Sequence, residues 1–138
     1  MIVVKIGGSI GLEKLEPVLR DVAALKGEGE TLILVHGGGR MVTGLAEKLG
    51  LSQRFYRGPS GFTTRYTDME TIRLFEMVMA GLYNKEIVST LLRMNVKAVG
   101  ISGIDGSLVV GERKRRILVV DDEGRKRYLP GDYSGRPV

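Results

Sequence analysis

The segments IVVKIGGS (residues 2–9) and TLILVHGGG (residues 31–39) decide the fold. Each is a short apolar run that ends in consecutive glycines, and apolar residues at helical spacing follow each of them. Apolar strands that alternate with helices favour a parallel sheet with both faces covered and right-handed crossovers. The sequence therefore predicts an α/β fold, a three-layer α/β/α sandwich around a mainly parallel central sheet.

After residue 66 the sequence predicts two helices and a further strand. Residues 67–70 (TDME) fit a capping box, which makes Thr67 the N-cap of the next helix. We expect that helix to break near Gly81 before another helix begins. Residues 96–101 (VKAVGI) form an apolar run that predicts a further buried strand.

Length and composition exclude several classes of protein. The chain has 138 residues, a formal net charge of +5, no cysteine and one histidine. Its length predicts a single lobe over residues 1–138. The absence of cysteine excludes disulfides, thiolate zinc sites and iron–sulfur clusters, and we assign no metal-ligating residue. No apolar run approaches the roughly 18 residues that span a bilayer, and no signal-peptide pattern is present, so a cytoplasmic protein is expected.

The two glycine turns are candidate phosphate sites. Gly7-Gly8 and Gly37-Gly38 each lie between a predicted parallel strand and a helix, so both are expected at the same edge of the sheet. Glycine exposes backbone N–H groups, and a helix N-terminus adds partial positive charge. Tight turns needed only for packing are the alternative. Neither turn matches the common nucleotide-binding patterns.

Lys5 is the candidate cation for this site. It lies among Val3, Val4 and Ile6, where an ammonium is costly to bury unless it reaches an anion. Phosphoryl transfer needs positive charge near the moving group, and lysine supplies it. The alternative is a lysine on an edge strand whose ammonium extends into solvent.

Three further polar residues have competing interpretations. Arg65 ends a basic segment and could bind a carboxylate through its planar guanidinium, although a solvated loop arginine is the simpler interpretation of that residue alone. We interpret His36 as a hydrogen-bonded residue at a strand end. We interpret Asp68 as a helix-terminus acid rather than a catalytic base.

Two basic runs flank a predicted hairpin turn at residues 121–124. Residues 113–116 (RKRR) and 125–127 (RKR) are usually a solvated face in such a pattern, but they could bind an acidic protein or nucleic acid. No aromatic platform lies between them, so nucleic acid is an improbable partner. The methionine-rich stripe of residues 72–82 fits either core packing or a dimer seam.

The motifs of this chain resemble those of the amino acid kinase superfamily, in its acetylglutamate kinase branch. Four motifs occur in the same order, at residues 4–9, 34–39, 65–68 and 100–106. Within the branch, residues 65–68, 111–114 and 131–135 look most like the kinases of the carrier-protein route to lysine, and in archaea also to arginine. Those enzymes phosphorylate the side-chain carboxylate of 2-aminoadipate or glutamate, whose amino group is amide-linked to a small acidic carrier protein.

The resemblance implies roles for the candidate residues. Lys5 would stabilise the transferring phosphoryl group of ATP, which binds together with Mg²⁺. Gly7, Gly8 and Gly38 would donate N–H groups to phosphate oxygens. Gly37, together with Gly38, would contact the substrate.

On the same basis, Arg65 would clamp the substrate's α-carboxylate. The basic runs would attract the acidic carrier protein, and the enzyme would be a homodimer without a membrane partner. Members of the family have roughly twice this length in two lobes. Residues 1–138 therefore resemble the N-terminal, amino-acid-binding lobe without the C-terminal ATP-binding lobe, and we expect this fragment alone to be inactive. An N-acetylglutamate kinase and a non-catalytic basic binding module are the alternatives.

Overall fold

The structure, a computed structural model, describes residues 1–138 and divides into two compact units. Unit 1 comprises Met1–Leu45 and Phe75–Ser102, and unit 2 comprises Ala46–Leu74 and Gly103–Val138. The sequence predicted one lobe over this span, and neither unit is continuous in sequence. Each unit is therefore described by itself.

The helices and strands follow one another in this order: β1 Ile2–Ile6, α1 Leu15–Gly27, β2 Leu32–His36, α2 Gly39–Lys48, β3 Arg54–Arg57, β4 Thr63–Tyr66, α3 Met69–Phe75, α4 Asn84–Arg93, β5 Gly111–Arg113, β6 Arg116–Val120, β7 Lys126–Pro130 and β8 Gly135–Pro137. Short 3-10 turns occupy Leu12–Lys14 and Asp105–Ser107, and a π-helical segment occupies Glu76–Tyr83. None of the helices has the length and apolarity that a bilayer crossing requires.

Unit 1 is built on the parallel pair predicted from the two opening segments. β1 and β2 align in register from Ile2 opposite Leu32 to Ile6 opposite His36. The face of this pair that carries Ile6 packs on α1 and α4 in one apolar core, whose buried residues are Ile6, Leu15, Leu19, Val22, Tyr83, Ile87 and Leu91. The buried hydroxyl of Tyr83 donates a hydrogen bond to the carbonyl of Ile10 at 2.8 Å, so this large residue is fully satisfied inside the core.

Proline and glycine lie at the ends of α1 and α2. Pro17 lies in the first turn of α1, which ends at Gly27, and Gly29 follows with a φ of +90°. Gly50 has a φ of +68° just after α2, a conformation common for glycine at the C-terminus of a helix.

The predicted break near Gly81 is wrong. Residues 69–93 run helically without interruption, and Gly81 lies inside the π-helical segment. Gly81 therefore lies within the helix and does not end it. Single π-helical turns inside helices occur often at functional sites.

Unit 2 contains only antiparallel pairs. Its four-stranded sheet has the order β4-β3-β6-β7, and β5 pairs with β8 in a separate two-stranded sheet. The predicted hairpin turn joins β6 to β7, with Gly124 at a φ of +78°. The basic segment of residues 51–66 forms the hairpin of β3 and β4.

The prediction of a mainly parallel sheet is not confirmed, because β1 with β2 is the only parallel pair and the others are antiparallel. The segment Val96–Ile101, predicted as a further strand, forms no ladder. A groove of about 440 Å³ lies between it and β2. The exposure of residues 96–101 still alternates from residue to residue as in a strand, and Val96 and Ala98 pack on the core.

The predicted third layer of the sandwich is also not confirmed. The face of the β1–β2 pair opposite the core exposes Val3, Ile33 and Val35 by 61%, 47% and 48%. Parallel strands are normally covered on both faces. Unit 1 therefore shows two layers, with an apolar sheet face left open on the side that carries Lys5.

Candidate functional site

The two glycine turns meet in unit 1, as the sequence predicted. The register that places Ile6 opposite His36 brings Gly7 and Gly37 to the same end of the pair, and the Gly37 N–H donates to the Ile6 carbonyl at 3.0 Å. A Cβ on Gly37 would lie 2.7 Å from the Cα of Gly8. A Cβ on Gly8 would lie 3.2 Å from the Gly38 nitrogen. The close approach of the two backbones leaves no room for side chains at the contact.

This contact, Gly7-Gly8 against Gly37-Gly38, is called the glycine corner below. The helix α2 starts at Gly39, immediately after it, and its first turn is closed by hydrogen bonds from Met41 and Val42 N–H to the Gly38 carbonyl at 2.9 and 3.2 Å. The positive end of α2 is therefore directed to the corner. Bare backbone beside a helix N-terminus is suited to binding an anion.

Lys5 lies on β1 two residues before Gly7, opposite Val35 in the strand register. Its side chain is exposed and forms neither an ion pair nor a hydrogen bond. The ammonium is therefore unpaired, and its place in the site stays a prediction.

His36 has the structural role that the sequence predicted. Its Nδ1 lies 3.0 Å from the Gly37 carbonyl, and its Nε2 lies 3.4 Å from Nδ2 of Asn84. One tautomer satisfies both contacts, with Nδ1–H donating and Nε2 accepting. The ring also packs edge-on to Tyr83 at 5.2 Å between centroids. His36 thus anchors the start of the glycine turn to α4.

Asn84 is a buried residue that sequence reasoning missed. Its amide nitrogen donates to His36 and, at 3.3 Å, to the Ile101 carbonyl, whereas its Oδ1 has no hydrogen-bond partner. A Cβ on Gly100 would collide with that oxygen. The only signal in the sequence is a polar residue among the apolar positions of a helix, which does not reveal its partners.

Arg65 lies in unit 2, on β4, and is described there by itself. In the β3–β4 pair it is opposite Phe55, and its guanidinium carbon lies 5.4 Å from the centre of the Phe55 ring. Burial lowers the pKa of Arg65 from its ordinary value, although an arginine stays protonated at neutral pH. The guanidinium is partly withdrawn from solvent on an aromatic face, which strengthens its interaction with an anion.

The helix after Arg65 is capped by Asp68, and the prediction of Thr67 as N-cap is wrong. The Thr71 N–H donates to Oδ1 of Asp68 at 2.9 Å, and Arg54 pairs with Oδ2 at 3.3 Å. The hydrogen bonds from Thr71, followed by the contact with Arg54, hold the pKa of Asp68 below its ordinary value. The interpretation of Asp68 as a helix-terminus acid is confirmed.

Asp132 is the second residue that the sequence did not reveal. It is 1% exposed, and its carboxylate accepts hydrogen bonds from the Thr67 N–H at 2.7 Å, the Ser134 N–H at 2.8 Å and the Ser134 hydroxyl. Burial alone would raise the pKa of Asp132, but the bonds from Ser134 and Thr67 outweigh it and the pKa lies below the ordinary value. An aspartate two residues before a serine is typical of a local turn. The bond to Thr67, by contrast, joins residues 65 positions apart, so no local pattern indicates it.

The basic runs form an exposed surface on the hairpin of β6 and β7. Arg125 pairs with Asp121 and Glu123, whereas the other cations of the hairpin strands, Arg116, Lys126 and Arg127, are exposed without an ion pair. Because side chains alternate along a strand, Arg116 and Lys126 share one face with Tyr128, which is 64% exposed. We call Arg116, Lys126 and Tyr128 the basic face.

Comparison with known proteins places this chain in a family. The sequence profile of the amino acid kinase family matches residues 1–131. The chain belongs to the amino acid kinase family. This amino acid kinase chain is 43% identical over 136 residues to the LysW-aminoadipate/LysW-glutamate kinase of Saccharolobus islandicus strain L.S.2.15, covering 99% of the chain and 50% of that relative.

Two further relatives carry the same kinase name provisionally. One, from Cenarchaeum symbiosum, is 47% identical over 137 residues, covering 99% of this chain and 50% of the relative. The other, from Nitrosopumilus maritimus, is 43% identical over 137 residues, covering 99% and 51%. The chain spans about half the length of these curated relatives.

Proposed function

We propose that this chain is the amino-acid-binding half of an ATP-dependent carboxylate kinase. The substrate would be 2-aminoadipate or glutamate linked through its amino group to a small acidic carrier protein, and the product an acyl phosphate for lysine or arginine biosynthesis. The glycine corner is the observation that carries this proposal, because it presents bare backbone and a helix N-terminus beside an exposed lysine. The names of the relatives support the choice of substrate.

The residues at the corner have complementary roles in this proposal. The N–H groups of Gly7, Gly8 and Gly38 would bind phosphate oxygens, and Gly37 and Gly38 would also contact the substrate. Lys5 would neutralise charge on the phosphoryl group during its transfer. A carboxylate is already ionised at neutral pH, so its attack on the γ-phosphorus needs no general base.

The phosphates of ATP would bind at the corner, because its glycines carry no side chains and lie beside the N-terminus of α2. ATP supplies the phosphoryl group and binds with Mg²⁺. Mg²⁺ usually keeps water ligands and binds through substrate phosphates with one or two carboxylates. The described residues contain no cluster of three metal-ligating side chains, so in our proposal the nucleotide supplies most of its ligands.

Arg65 would clamp the α-carboxylate of the substrate. A guanidinium binds a carboxylate through two parallel hydrogen bonds, and the Phe55 ring lies beside the guanidinium of Arg65. The 43% identical relative is named a LysW-aminoadipate/LysW-glutamate kinase. An amino acid that is linked through its amino group retains a free α-carboxylate, which supports this role for Arg65.

We propose the basic face as the carrier-docking surface. Arg116 and Lys126 would attract an acidic partner, and the exposed ring of Tyr128 offers apolar area at the centre of the contact. A homodimer would use the helical stripe of residues 72–82, where Met77 and Leu82 are 56% and 48% exposed. A monomer by light scattering at micromolar concentration would count against that dimer.

The complete domain would contain the three-layer sandwich and the mainly parallel sheet. Closure of Val96–Ile101 onto the free edge of β2 would add a third parallel strand and remove the groove. A C-terminal ATP-binding lobe, in the half of the relatives' length that this chain does not span, would complete the enzyme.

A competition assay tests the function. A form of the protein extended to the relatives' length is given ATP with equal concentrations of carrier-linked aminoadipate and N-acetylglutamate, and acyl phosphate is trapped as the hydroxamate. We expect preference for the carrier-linked substrate. Preference for N-acetylglutamate would make the protein an acetylglutamate kinase, and no turnover with either would favour a binding module. The 138-residue chain alone is expected to show negligible turnover.

A further inference from the structure

The segment Gly131–Gly135 is built around a buried carboxylate with three hydrogen bonds. Oδ2 of Asp132 accepts from the Thr67 N–H at 2.7 Å, and Oδ1 accepts from the N–H and the hydroxyl of Ser134. These partners are neutral groups rather than a charged side chain. A buried carboxylate that depends on such bonds is held in one position, because losing any one bond would leave part of its negative charge without a hydrogen-bond donor.

The same segment also binds the other backbone group of Thr67. The Tyr133 N–H donates to the Thr67 carbonyl at 2.8 Å. Thr67 is therefore held at both its N–H and its carbonyl by two consecutive residues of a segment 65 positions away. We call Gly131–Gly135 the brace.

The brace is itself fixed to unit 2 at both ends. The Gly131 N–H donates to the Arg115 carbonyl at 2.9 Å, and the Lys114 N–H donates to the Ser134 carbonyl at 3.0 Å. A Cβ on Gly131 would collide with the carbonyl of Lys114, and one on Gly135 with that of Glu112. Both glycines allow the brace to lie directly against backbone.

Thr67 directly follows β4, the strand that carries Arg65. From this geometry we propose that Asp132 is a positioning residue, which orients Arg65 for the substrate by holding the exit of β4. The Tyr66 hydroxyl donates to the Pro130 carbonyl at 3.4 Å, beside the brace, and further limits this end of the strand. The inference rests on the proposed role of Arg65 as the carboxylate clamp.

The test substitutes Asp132→Asn in the full-length enzyme. An asparagine offers one oxygen and one NH₂ group. In either orientation its NH₂ group therefore points at an N–H donor, that of Thr67 or that of Ser134. We expect KM for carrier-linked aminoadipate to rise about 10-fold, with kcat and the KM for ATP changed less than about 2-fold. Asp121→Asn is the matched control, because Asp121 also accepts backbone N–H groups in a turn of unit 2 but does not contact Thr67.

A second readout does not depend on activity. Hydrogen exchange of the Thr67 amide in the 138-residue chain should accelerate at least about 10-fold in Asp132→Asn and remain unchanged in Asp121→Asn. If Asp132→Asn fails to fold, Ser134→Ala decides the question. That variant removes the hydroxyl bond that helps to orient the Asp132 carboxylate toward Thr67, and it should raise KM for the carrier-linked substrate about 3-fold. An unchanged KM would overturn the positioning role.

The outcomes separate this inference from the proposed function. Unchanged Thr67 exchange in Asp132→Asn, or equal increases in the KM values for both substrates, would overturn the positioning role. A wild-type enzyme that does not phosphorylate carrier-linked aminoadipate would overturn the proposed function, whereas the exchange experiment would still show whether the brace holds Thr67.

Discussion

Gly37 lies so close to Gly8 that a Cβ on Gly37 would approach the Cα of Gly8 to 2.7 Å. The contact joins the ends of two parallel strands that were recognisable from their apolar runs and terminal glycines. It explains why glycine is needed at both turns, because backbone packs directly on backbone. It also places the N-terminus of α2 beside the end of the strand that carries Lys5.

The first prediction concerns the contact itself. We expect Gly37→Ala to lower the free energy of unfolding by about 1–3 kcal/mol, because the added methyl group forces two backbones apart. Gly44→Ala is the matched control, since a Cβ at Gly44 in α2 meets nothing within 4 Å. Alanine should stabilise that helix by about 0.5–1 kcal/mol. Thermal unfolding measures both, and equal stability of the two variants would show that the contact is looser than described.

The second prediction separates catalysis from stability at Lys5. Its side chain is exposed and unpaired, so Lys5→Met should leave the unfolding temperature unchanged. In the full-length enzyme the same variant should lower kcat about 10²–10³-fold, because the positive charge that Lys5 places beside the phosphoryl group is lost. Lys48→Met, at an exposed lysine that ends α2, should retain full activity. Full activity of Lys5→Met would remove Lys5 from the site.

The third prediction concerns the start of α3. Asp68→Ala should lower the free energy of unfolding by about 1 kcal/mol, because the bond to the Thr71 N–H is lost. Thr67→Ala should cost less than about 0.5 kcal/mol, since the Thr67 hydroxyl does not cap the helix. Chemical denaturation of both variants measures the difference, and the reverse order of stabilities would restore Thr67 as the cap.

The fourth prediction is a pH dependence. The pKa of Asp132 is lowered from 3.8 in the folded state, so its ionised form stabilises the fold above that pH. This contribution is lost as the pH falls through the lower, folded-state pKa. Unfolding free energies measured from neutral pH downward should therefore show wild type more stable than Asp132→Asn at neutral pH, with the difference shrinking in acid. A constant difference would show that the carboxylate's charge has no part in the stabilisation.

Patterns that act locally were predicted well from sequence. The strand ends at Gly7 and Gly37 and the late hairpin turn are confirmed, because each depends on a few neighbouring residues. His36 was also assigned correctly as a hydrogen-bonded residue.

Features that depend on distant partners were not predicted. The alternating pattern of Val96–Ile101 is that of a strand, but a ladder also needs the edge of β2 within hydrogen-bonding distance, and the groove separates them. The bond from Thr67 to Asp132 spans 65 positions, so no local pattern reveals it. The observed N-cap is Asp68, one residue after the predicted Thr67, because a carboxylate oxygen of Asp68 accepts the hydrogen bond from the Thr71 N–H.

Amide shifts of the glycines test the anion site most directly. The full-length protein is labelled with ¹⁵N-glycine and titrated with a non-hydrolysable ATP analogue and Mg²⁺. We expect saturable shifts at Gly7, Gly8 and Gly38 that weaken in Lys5→Met. Saturable binding that leaves these three amides unmoved would contradict the assignment of the glycine corner as the phosphate site.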